Sequence, residues 1–190
     1  MLLCLDPGPV KTAWLLFQDG KPIKWGHQPN HEVLGLRFYD EYKGPQLVIE
    51  EIVSYGMGFD KHLRDTIAWS GAFAFAWGGA DAVTGSTESV RWVKRQDVKL
   101  YLCERTRGVN DATVRAALID RYGGAKAIAP EGKCDRCRGR GKVGRGRARV
   151  ECGRCLGNGK GTPAGVLHGI AGDVWSALSV AVVASEQRVT

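Results

Sequence analysis

The fold is decided near the start of the chain by Leu2-Leu3-Cys4-Leu5-Asp6-Pro7-Gly8, an apolar run that ends in an acid. A second apolar run, Thr12 to Phe17, follows almost at once. Together they predict a β-strand, a tight turn and an antiparallel return strand. A carboxylate at such a strand end needs a stabilising partner. A divalent cation shared with other carboxylates is the partner that would also carry chemistry.

Working outward, the pattern predicts a mixed α/β fold around one central sheet. A third strand, Pro22–Gly26, follows a hairpin turn at Asp19-Gly20. The further predicted elements are a helix from Asn30 to about Tyr42, a strand at Leu47–Glu50, a helix at Phe59–Trp77, a short strand at Ala82–Thr84, and helices at Arg95–Cys103, Asp111–Tyr122 (capped by Asn110) and Asp173–Ser185.

Three of these elements carry an acid at one end: Asp6, Glu50 (with Glu51 beside it) and Asp173. If the first and fourth strands are neighbours, Asp6 and Glu50 meet at one edge, and the last helix can bring Asp173 alongside. Converging carboxylates repel one another unless Mg²⁺ or Mn²⁺ neutralises them, and such clusters hold two metal ions for in-line attack on phosphodiesters. Taken singly, the same acids would be a turn residue, an edge charge and a helix cap.

The ordered set of motifs resembles the RuvC-type Holliday junction resolvases, and more closely a bacteriophage branch of them, within the RNase H-like fold. The resemblance spans nearly the whole chain apart from a cysteine-rich segment. It is carried by Leu5-Asp6-Pro7-Gly8 with its return strand, Val48-Ile49-Glu50-Glu51, Asp97-Val98-Lys99 before the helix opening at Asn110-Asp111, and Gly172-Asp173-Val174-Trp175-Ser176-Ala177-Leu178.

The resemblance also implies roles for individual residues. Asp6, Glu50 and Asp173 would hold the catalytic metals, and the lysine that the family carries in a Val-Lys motif corresponds to Lys99, beside the scissile phosphate. The chain departs from the family on its last helix, where Ser176 stands in place of a second acid. A further ligand would then come from Glu51 or His168, or the site would use three carboxylates.

A repeated cysteine motif predicts a second metal site. Cys134-x-x-Cys137-x-Gly-x-Gly and Cys152-x-x-Cys155-x-Gly-x-Gly are two copies of one pattern, spaced as in structural zinc sites. They resemble the zinc repeats of the DnaJ chaperone family, and two copies suffice for one Zn²⁺. Disulfide pairing is the alternative, although it is uncommon in a cytosolic protein.

Positive charge is concentrated on the same segment. Between residues 131 and 161 there are ten Lys or Arg and three acids, which accounts for the whole net charge of +7, because the remainder holds seventeen residues of each sign. Such a concentration usually meets a polyanion, although a solubilising loop is the alternative. The predicted DNA contacts are Arg136, Arg138, Arg140, Lys142, Arg145, Arg147, Arg149 and Arg154.

These patterns predict a magnesium-dependent, structure-selective endonuclease that cuts Holliday junctions or other branched DNA, acting in phage DNA recombination. The nuclease domain would comprise residues 1–130 and 162–190, with an inserted Cys4 zinc ribbon at 131–161. The alternative is a degenerate nuclease fold that binds DNA through its ribbon without cutting it. An actin-like ATPase would need two such domains, and a DnaJ-like co-chaperone would leave the three acids unexplained.

The remaining expectations concern partners and location. Paired cuts in a junction with two-fold symmetry call for a homodimer, with the apolar helix Ile67–Trp77 as the candidate interface, and Tyr55 or Phe59 could stack on a base. The chain has 190 residues and no apolar stretch near 20 residues long, so no membrane contact is expected. It shows no secretory leader pattern, which predicts a cytoplasmic protein, in the bacterial host if phage-encoded.

Overall fold

The computed structural model describes residues 1–35, 45–53, 60–84, 90–134, 137–144, 149–153, 155–156 and 158–187. The chain divides into two compact units. The first comprises Met1–Leu118 with Ile170–Thr190, and the second comprises Ile119–Gly169. Within the described residues, no helix is both long and apolar enough to cross a membrane.

The first unit contains a five-stranded mixed sheet in the order β3-β2-β1-β4-β5. Strands β1, β2 and β3 pair antiparallel, whereas β4 runs parallel to β1 and β5 runs parallel to β4. The mixed sheet predicted from the sequence is therefore confirmed. The first and fourth strands are neighbours, which is the condition under which Asp6 and Glu50 meet. The strands are β1 (Leu2–Pro7), β2 (Lys11–Gln18), β3 (Lys21–Pro29), β4 (Gln46–Glu51) and β5 (Val90–Lys94).

The turn between β2 and β3 forms where the sequence predicts it. Asp19 and Gly20 both adopt positive φ, at 49° and 76°. Two successive residues of this kind are the signature of a type I′ hairpin, whose twist matches that of the flanking strands.

Helices cover both faces of the sheet. They are α1 (Asn30–Gly35), α2 (Lys61–Val83), α3 (Arg95–Cys103), α4 (Asp111–Arg121) and α5 (Val174–Glu186). On one face, α1 and α2 close a core that includes Leu3, Leu5 and Ile49. On the other face, the almost wholly buried helix α5 packs against β1 and β2. Because successive side chains of a strand point to opposite faces, Asp6 and Glu50 lie on the α5 side.

One predicted strand is replaced by helix, and one predicted helix is described only in part. The short strand predicted at Ala82–Thr84 is wrong, because α2 resumes after non-helical dihedral angles at Gly78 and Gly79 and ends only at Val83, with Thr84 as its cap. The last strand of the sheet is instead β5. The helix predicted from Asn30 is described only as far as Gly35, and its remainder to Tyr42 lies outside the described residues.

The second unit holds the cysteine motifs and little regular structure. After a short 3₁₀ helix at Gly124–Ile128, two-residue strands β6 (Lys142–Val143) and β7 (Val150–Glu151) form a small antiparallel ladder. An isolated bridge between Lys133 and Lys160 joins the two ends of the cysteine segment. Residues 131–161 are called the ribbon below.

Candidate active site

The register of the sheet places Asp6 and Glu50 side by side. Leu5 is the partner of Ile49 across the parallel β1–β4 pair, so the next residue of each strand is an acid on the same face. Glu50 is buried, at 8% exposure. Adjacent, shielded carboxylates repel each other more strongly than they would in water.

The line of paired residues that crosses the sheet from Glu50 to Asp6 continues across the antiparallel strands to a histidine. Asp6 pairs with Ala13, and Ala13 pairs with His27 on β3. Nε2 of His27 lies 3.4 Å from Oδ2 of Asp173. The row therefore links the first strand to the acid that precedes α5.

Asp173 stands at the N-cap position of α5, but in the described structure its side chain makes no capping hydrogen bond. The side chain is 65% exposed and its described ion-pair partner is His27. A carboxylate next to a helix N-terminus is favoured by the helix dipole. Because it is not engaged in capping, the Asp173 carboxylate can act as a ligand.

Arg95, the first residue of α3, reaches into this group of acids. Its Nη1 lies 3.5 Å from Oε1 of Glu50, and its Nη2 forms an ion pair with Oδ1 of Asp111 at the start of α4. Only 24% of the Arg95 side chain is exposed. The guanidinium group therefore bridges a buried acid and an exposed one.

The charged side chains around Asp6 and Glu50 shift the pKa values of these two acids. Burial raises the pKa of Asp6 well above its ordinary value, the charges of Glu50 and Asp173 raise it further, and Arg95 and a hydrogen bond with Ser176 oppose the rise. Burial also raises the pKa of Glu50, whereas Arg95 and a side-chain hydrogen bond with Asp6 lower it. A buried acid that resists ionisation is one for which an added cation would be most favourable.

The chemistry of the donors fits a divalent cation. Oε2 of Glu50 is buried and has no hydrogen-bond partner among the described residues. An unsatisfied buried carboxylate oxygen is costly, and oxygen donors of this kind are those that Mg²⁺ and Mn²⁺ prefer. In the present arrangement the acids are not yet clustered at ligand spacing, because within the described residues only the four cysteines bring three or more donors within 4.8 Å of one another.

The other candidate ligands fall in different places. Glu51, one residue beyond Glu50, lines a groove on the α2 face with Ile67 and Trp92. Ser176 lies on the first turn of α5 and is a hydrogen-bond partner of Asp6. His168 is exposed in the second unit.

Lys99 follows Arg95 by one helical turn on α3, so both residues lie on one face of that helix. Its charge lowers the pKa of Glu50, more weakly than that of Arg95 does. Of the two cations, Arg95 is the one in ion-pair contact with the acids.

A cleft of about 310 Å³ lies beside these groups. Its wall includes Trp175, whose ring lies 4.9 Å beneath the guanidinium carbon of Arg115 in a cation–π contact. The full lining is Arg95, Asp111, Ala112, Val114, Arg115, Gly172, Asp173, Trp175 and Ser176. The cleft is large enough to admit a nucleotide-sized group next to the acids.

Sequence reasoning did not assign a site role to His27 or Arg95. His27 is revealed only by the strand register, which has no local signal. Arg95 did leave a signal, because a basic residue at a helix N-terminus is disfavoured by the helix dipole and so asks for an explanation. Asp111, the first residue of α4, forms an ion pair with Arg95.

The four cysteine sulfurs form the second candidate site, called the thiol cluster below. All four Sγ atoms lie within 4.8 Å of one another and are buried. Sγ of Cys134 is 3.9 Å from that of Cys152, and Sγ of Cys137 is 3.6 Å from that of Cys155. These separations exceed the roughly 2.05 Å of a disulfide. They match the roughly 3.8 Å between ligands that are each about 2.3 Å from one tetrahedral zinc ion.

The two copies of the cysteine motif hold each other in place. The N–H of Cys134 donates to the carbonyl of Gly159, and the N–H of Cys152 donates to the carbonyl of Gly141, both at 2.8 Å. The N–H of Gly159 also donates to Sγ of Cys155. Each first cysteine is thus bonded to the last glycine of the other copy, which gives the cluster approximate two-fold symmetry.

The backbone around the thiols prepares at least one of them for ionisation. Burial acts to raise the pKa of Cys137, but the N–H groups of Gly141 and Gly139 and the neighbouring thiols bring it below its ordinary value. A thiolate is the form that binds metal.

The basic residues of the ribbon are described in part. Arg138, Arg140, Lys142 and Arg149 are all exposed. The other predicted DNA contacts, Arg136, Arg145, Arg147 and Arg154, lie outside the described residues, as do Tyr55 and Phe59.

Comparison with known proteins identifies the fold. The structure of Thermus thermophilus RuvC in complex with a Holliday junction substrate is similar at a TM-score of 0.52 and 11% sequence identity, over 97% of this chain and 92% of that one. A second T. thermophilus RuvC structure is 13% identical, with the same coverage and a TM-score of 0.49. No protein-family model and no curated protein sequence matches the chain.

Proposed function

We propose that this protein is a Mg²⁺- or Mn²⁺-dependent endonuclease that cuts Holliday junctions or related branched DNA. The observation that carries the proposal is the meeting of Asp6 and Glu50 on adjacent parallel strands, on the face that bears α5 and Asp173. The fold shared with RuvC makes this combination more than a chance meeting of acids. A role in phage DNA recombination is the corresponding biological setting, and the bacterial cytoplasm the corresponding location.

Asp6, Glu50 and Asp173 would hold the divalent cation. When bound, it would supply an activated water and stabilise the negative charge that develops on the phosphate. Glu50 offers its buried Oε2, and Asp6 offers a buried carboxyl group whose raised pKa a neighbouring cation would lower. Lys99 would contribute positive charge from the face of α3 that also bears Arg95.

The ribbon would bind one structural Zn²⁺ through Cys134, Cys137, Cys152 and Cys155. A four-thiolate site has no open position, so this zinc would fold the segment rather than take part in the reaction. The exposed Arg138, Arg140, Lys142 and Arg149 would then contact DNA phosphates independently of sequence. Arg138→Ala with Arg140→Ala should reduce the salt dependence of DNA binding by about one phosphate contact per residue.

A homodimer would allow paired cuts in a junction. Phe75 on α2 is 60% exposed, and Ile67 and Gly71 lie on the same side of that helix at four-residue spacing. We assign this apolar side to the interface, and Phe75→Glu should shift the protein to monomer in sedimentation velocity.

Cleavage of a labelled four-way junction tests the function directly. With added Mg²⁺, Asp6→Asn should cut at least about 100-fold more slowly than wild type, as expected when a group that stabilises transition-state charge is removed. Asp19→Asn is the matched control, because Asp19 lies in the β2–β3 hairpin, where asparagine also tolerates positive φ. Junction binding without cleavage by wild type would instead identify a non-catalytic DNA-binding protein.

A further inference from the structure

The proposed metal site has fewer acidic ligands than the resemblance implies. Ser176 occupies the position of a second acid on α5, which leaves Asp6, Glu50 and Asp173 as the matched carboxylates. Two divalent ions would bring four positive charges to three carboxylates. Three carboxylates neutralise less positive charge than four. The charges of the neighbouring side chains therefore determine how many cations the site can bind.

Arg95 and Asp111 alter that balance. The Arg95 guanidinium group contacts Oε1 of Glu50 at 3.5 Å and is also paired with Asp111. A Mg²⁺ ion would need to lie about 2.1 Å from a carboxylate oxygen that it binds. A guanidinium group that stays between Glu50 and Asp111 therefore takes the space and the charge-neutralising role of one cation.

The placement of Arg95 is costly, which indicates that the contacts hold it firmly. It is the first residue of α3, where the helix dipole disfavours a cation, and three quarters of its side chain is withdrawn from water. A shielded arginine is retained when it is paired, and its flat, forked group suits two carboxylates at once. Glu50 and Asp111 supply that pairing.

The pairing is nevertheless incomplete at Glu50. Neither Oε2 of Glu50 nor Nη1 of Arg95 makes a hydrogen bond among the described residues, although both atoms are buried. A pair that served packing alone would be expected to satisfy both atoms. Glu50 therefore has one oxygen beside Arg95, and its other neighbour is the Asp6 carboxyl group. A cation bound between Asp6 and Glu50 would replace that carboxyl–carboxyl contact and would occupy the oxygen that has no geometric hydrogen bond.

We infer that Arg95 replaces one of the two metal ions, so that this site binds a single divalent cation. The inference rests on the proposed function and refines it. Asp6, Oε2 of Glu50 and Asp173 hold the cation, and the guanidinium group bridging Glu50 and Asp111 provides a permanent second positive charge. Arg95 is thus a positioning residue for the carboxylates, and Asp111 is the partner that holds it.

Counting bound Mn²⁺ tests the inference without DNA and without activity. The full-length, zinc-loaded protein would be titrated by calorimetry, with free Mn²⁺ followed in parallel by electron paramagnetic resonance and zinc content checked before and after. Wild type should bind one Mn²⁺ per chain. Arg95→Ala should bind two, because Oε1 of Glu50 and the Asp111 carboxylate become free.

Two further variants make the count specific. Arg95→Ala with Asp111→Asn should return to one Mn²⁺, because the second position loses a ligand. Arg95→Lys keeps the charge and should also bind one, and it remains informative if Arg95→Ala fails to fold as judged by circular dichroism. Two ions in wild type, or an unchanged count in folded Arg95→Ala, would overturn the inference while leaving the endonuclease proposal intact. No Mn²⁺ binding and no cleavage by wild type would overturn the proposed function itself.

Discussion

The acidic site of the sheet (Asp6, Glu50 and Asp173) and the thiol cluster of the ribbon are both candidate metal sites, and they are built in opposite ways. The cysteines come from two copies of one short motif, and their sulfurs already lie at zinc-ligand spacing. The three acids come from elements far apart in the sequence and are not yet at ligand spacing. One site is defined by local sequence, and the other exists only because the sheet forms.

The difference extends to how each site handles charge. In the thiol cluster, backbone N–H groups point at sulfur and act to lower the thiol pKa values. At Cys137 the pKa falls below its ordinary value, whereas burial keeps that of Cys155 raised, at about 11. At the acidic site the compensation comes from a side chain, Arg95, and it is incomplete. We therefore expect loss of a cysteine ligand to abolish the fold of the ribbon, whereas loss of the Asp6 carboxylate should reduce charge repulsion in the sheet unit.

The largest effect is expected from Cys137→Ser. Structural zinc in such sites contributes roughly 10 kcal/mol or more of apparent binding free energy, and that energy is also the folding energy of the segment. The variant should lose its zinc and the amide-exchange protection of residues 131–161, while the sheet unit keeps its protection. Metal analysis and hydrogen exchange measure both.

Cys103→Ser is the matched control for that variant, because Cys103 is a half-buried thiol at the end of α3, outside the thiol cluster. It should retain one zinc per chain. Full zinc occupancy in Cys137→Ser would show that the thiol cluster is not a four-ligand site.

A smaller effect on the same cluster is expected from Gly159→Ala. Gly159 has a φ of +76°, and a Cβ there would lie 2.3 Å from the carbonyl oxygen of Gly139. Strain of this kind costs about 1–3 kcal/mol and should weaken zinc binding by roughly 10- to 100-fold in a competition titration. Gly153→Ala, where a Cβ would meet nothing within 4 Å, should bind zinc like wild type.

In contrast to the cysteine and glycine variants, Asp6→Asn should stabilise the protein in the absence of added Mg²⁺. A raised pKa means that the folded protein binds the Asp6 proton more tightly than the unfolded chain does, so the ionised carboxylate destabilises the fold. The Asp6→Asn variant should therefore have a higher free energy of unfolding than wild type at neutral pH, as measured by urea unfolding.

The pH dependence gives a second measurement for Asp6. The destabilisation should diminish as the pH falls toward the raised pKa, so wild type should approach Asp6→Asn in stability on acidification. Asp19→Asn should follow wild type at every pH. A variant less stable than wild type at neutral pH would mean that Asp6 is a structural acid rather than an uncompensated one.

The smallest effect is expected from His27→Ala. The His27–Asp173 pair lies at 3.4 Å but both side chains are substantially exposed, and exposed pairs contribute at most about 1 kcal/mol. The free energy of unfolding should therefore change by less than that amount, and added salt should reduce the difference further. A loss of several kcal/mol would show that the row from Asp6 to His27 is a packed structural network.

The sequence predicted the parts of the fold that depend on local patterns. The first two strands follow from continuous apolar runs and the Asp19-Gly20 hairpin follows from turn chemistry. The start of α4 follows from capping by Asn110, which accepts from the N–H of Thr113. The strand predicted at Ala82–Thr84 failed because Gly78 and Gly79 imitate a helix end. In fact α2 continues beyond them, and tertiary packing prevails over local signals.

The sequence predicts the candidate site only as far as it predicts the order of the strands. Adjacency of β1 and β4 was enough to expect that Asp6 and Glu50 meet. The approach of His27 depends on the β2–β3 register, and that of Arg95 on a side-chain conformation set by two acids from separate elements. No periodicity or residue spacing in the sequence predicts either contact.

The bridge between Lys133 and Lys160 has a consequence for how this chain could have acquired its ribbon. Gly132 donates to the carbonyl of Thr162 at 2.9 Å, and Gly161 donates to that of Gly132 at 2.7 Å, so the segment leaves and re-enters at nearly one point. Domain insertions are tolerated where the two ends lie close together. We therefore expect that a short turn joining Gly132 to Thr162 could replace the ribbon, and that the variant would keep the amide-exchange protection of the sheet unit.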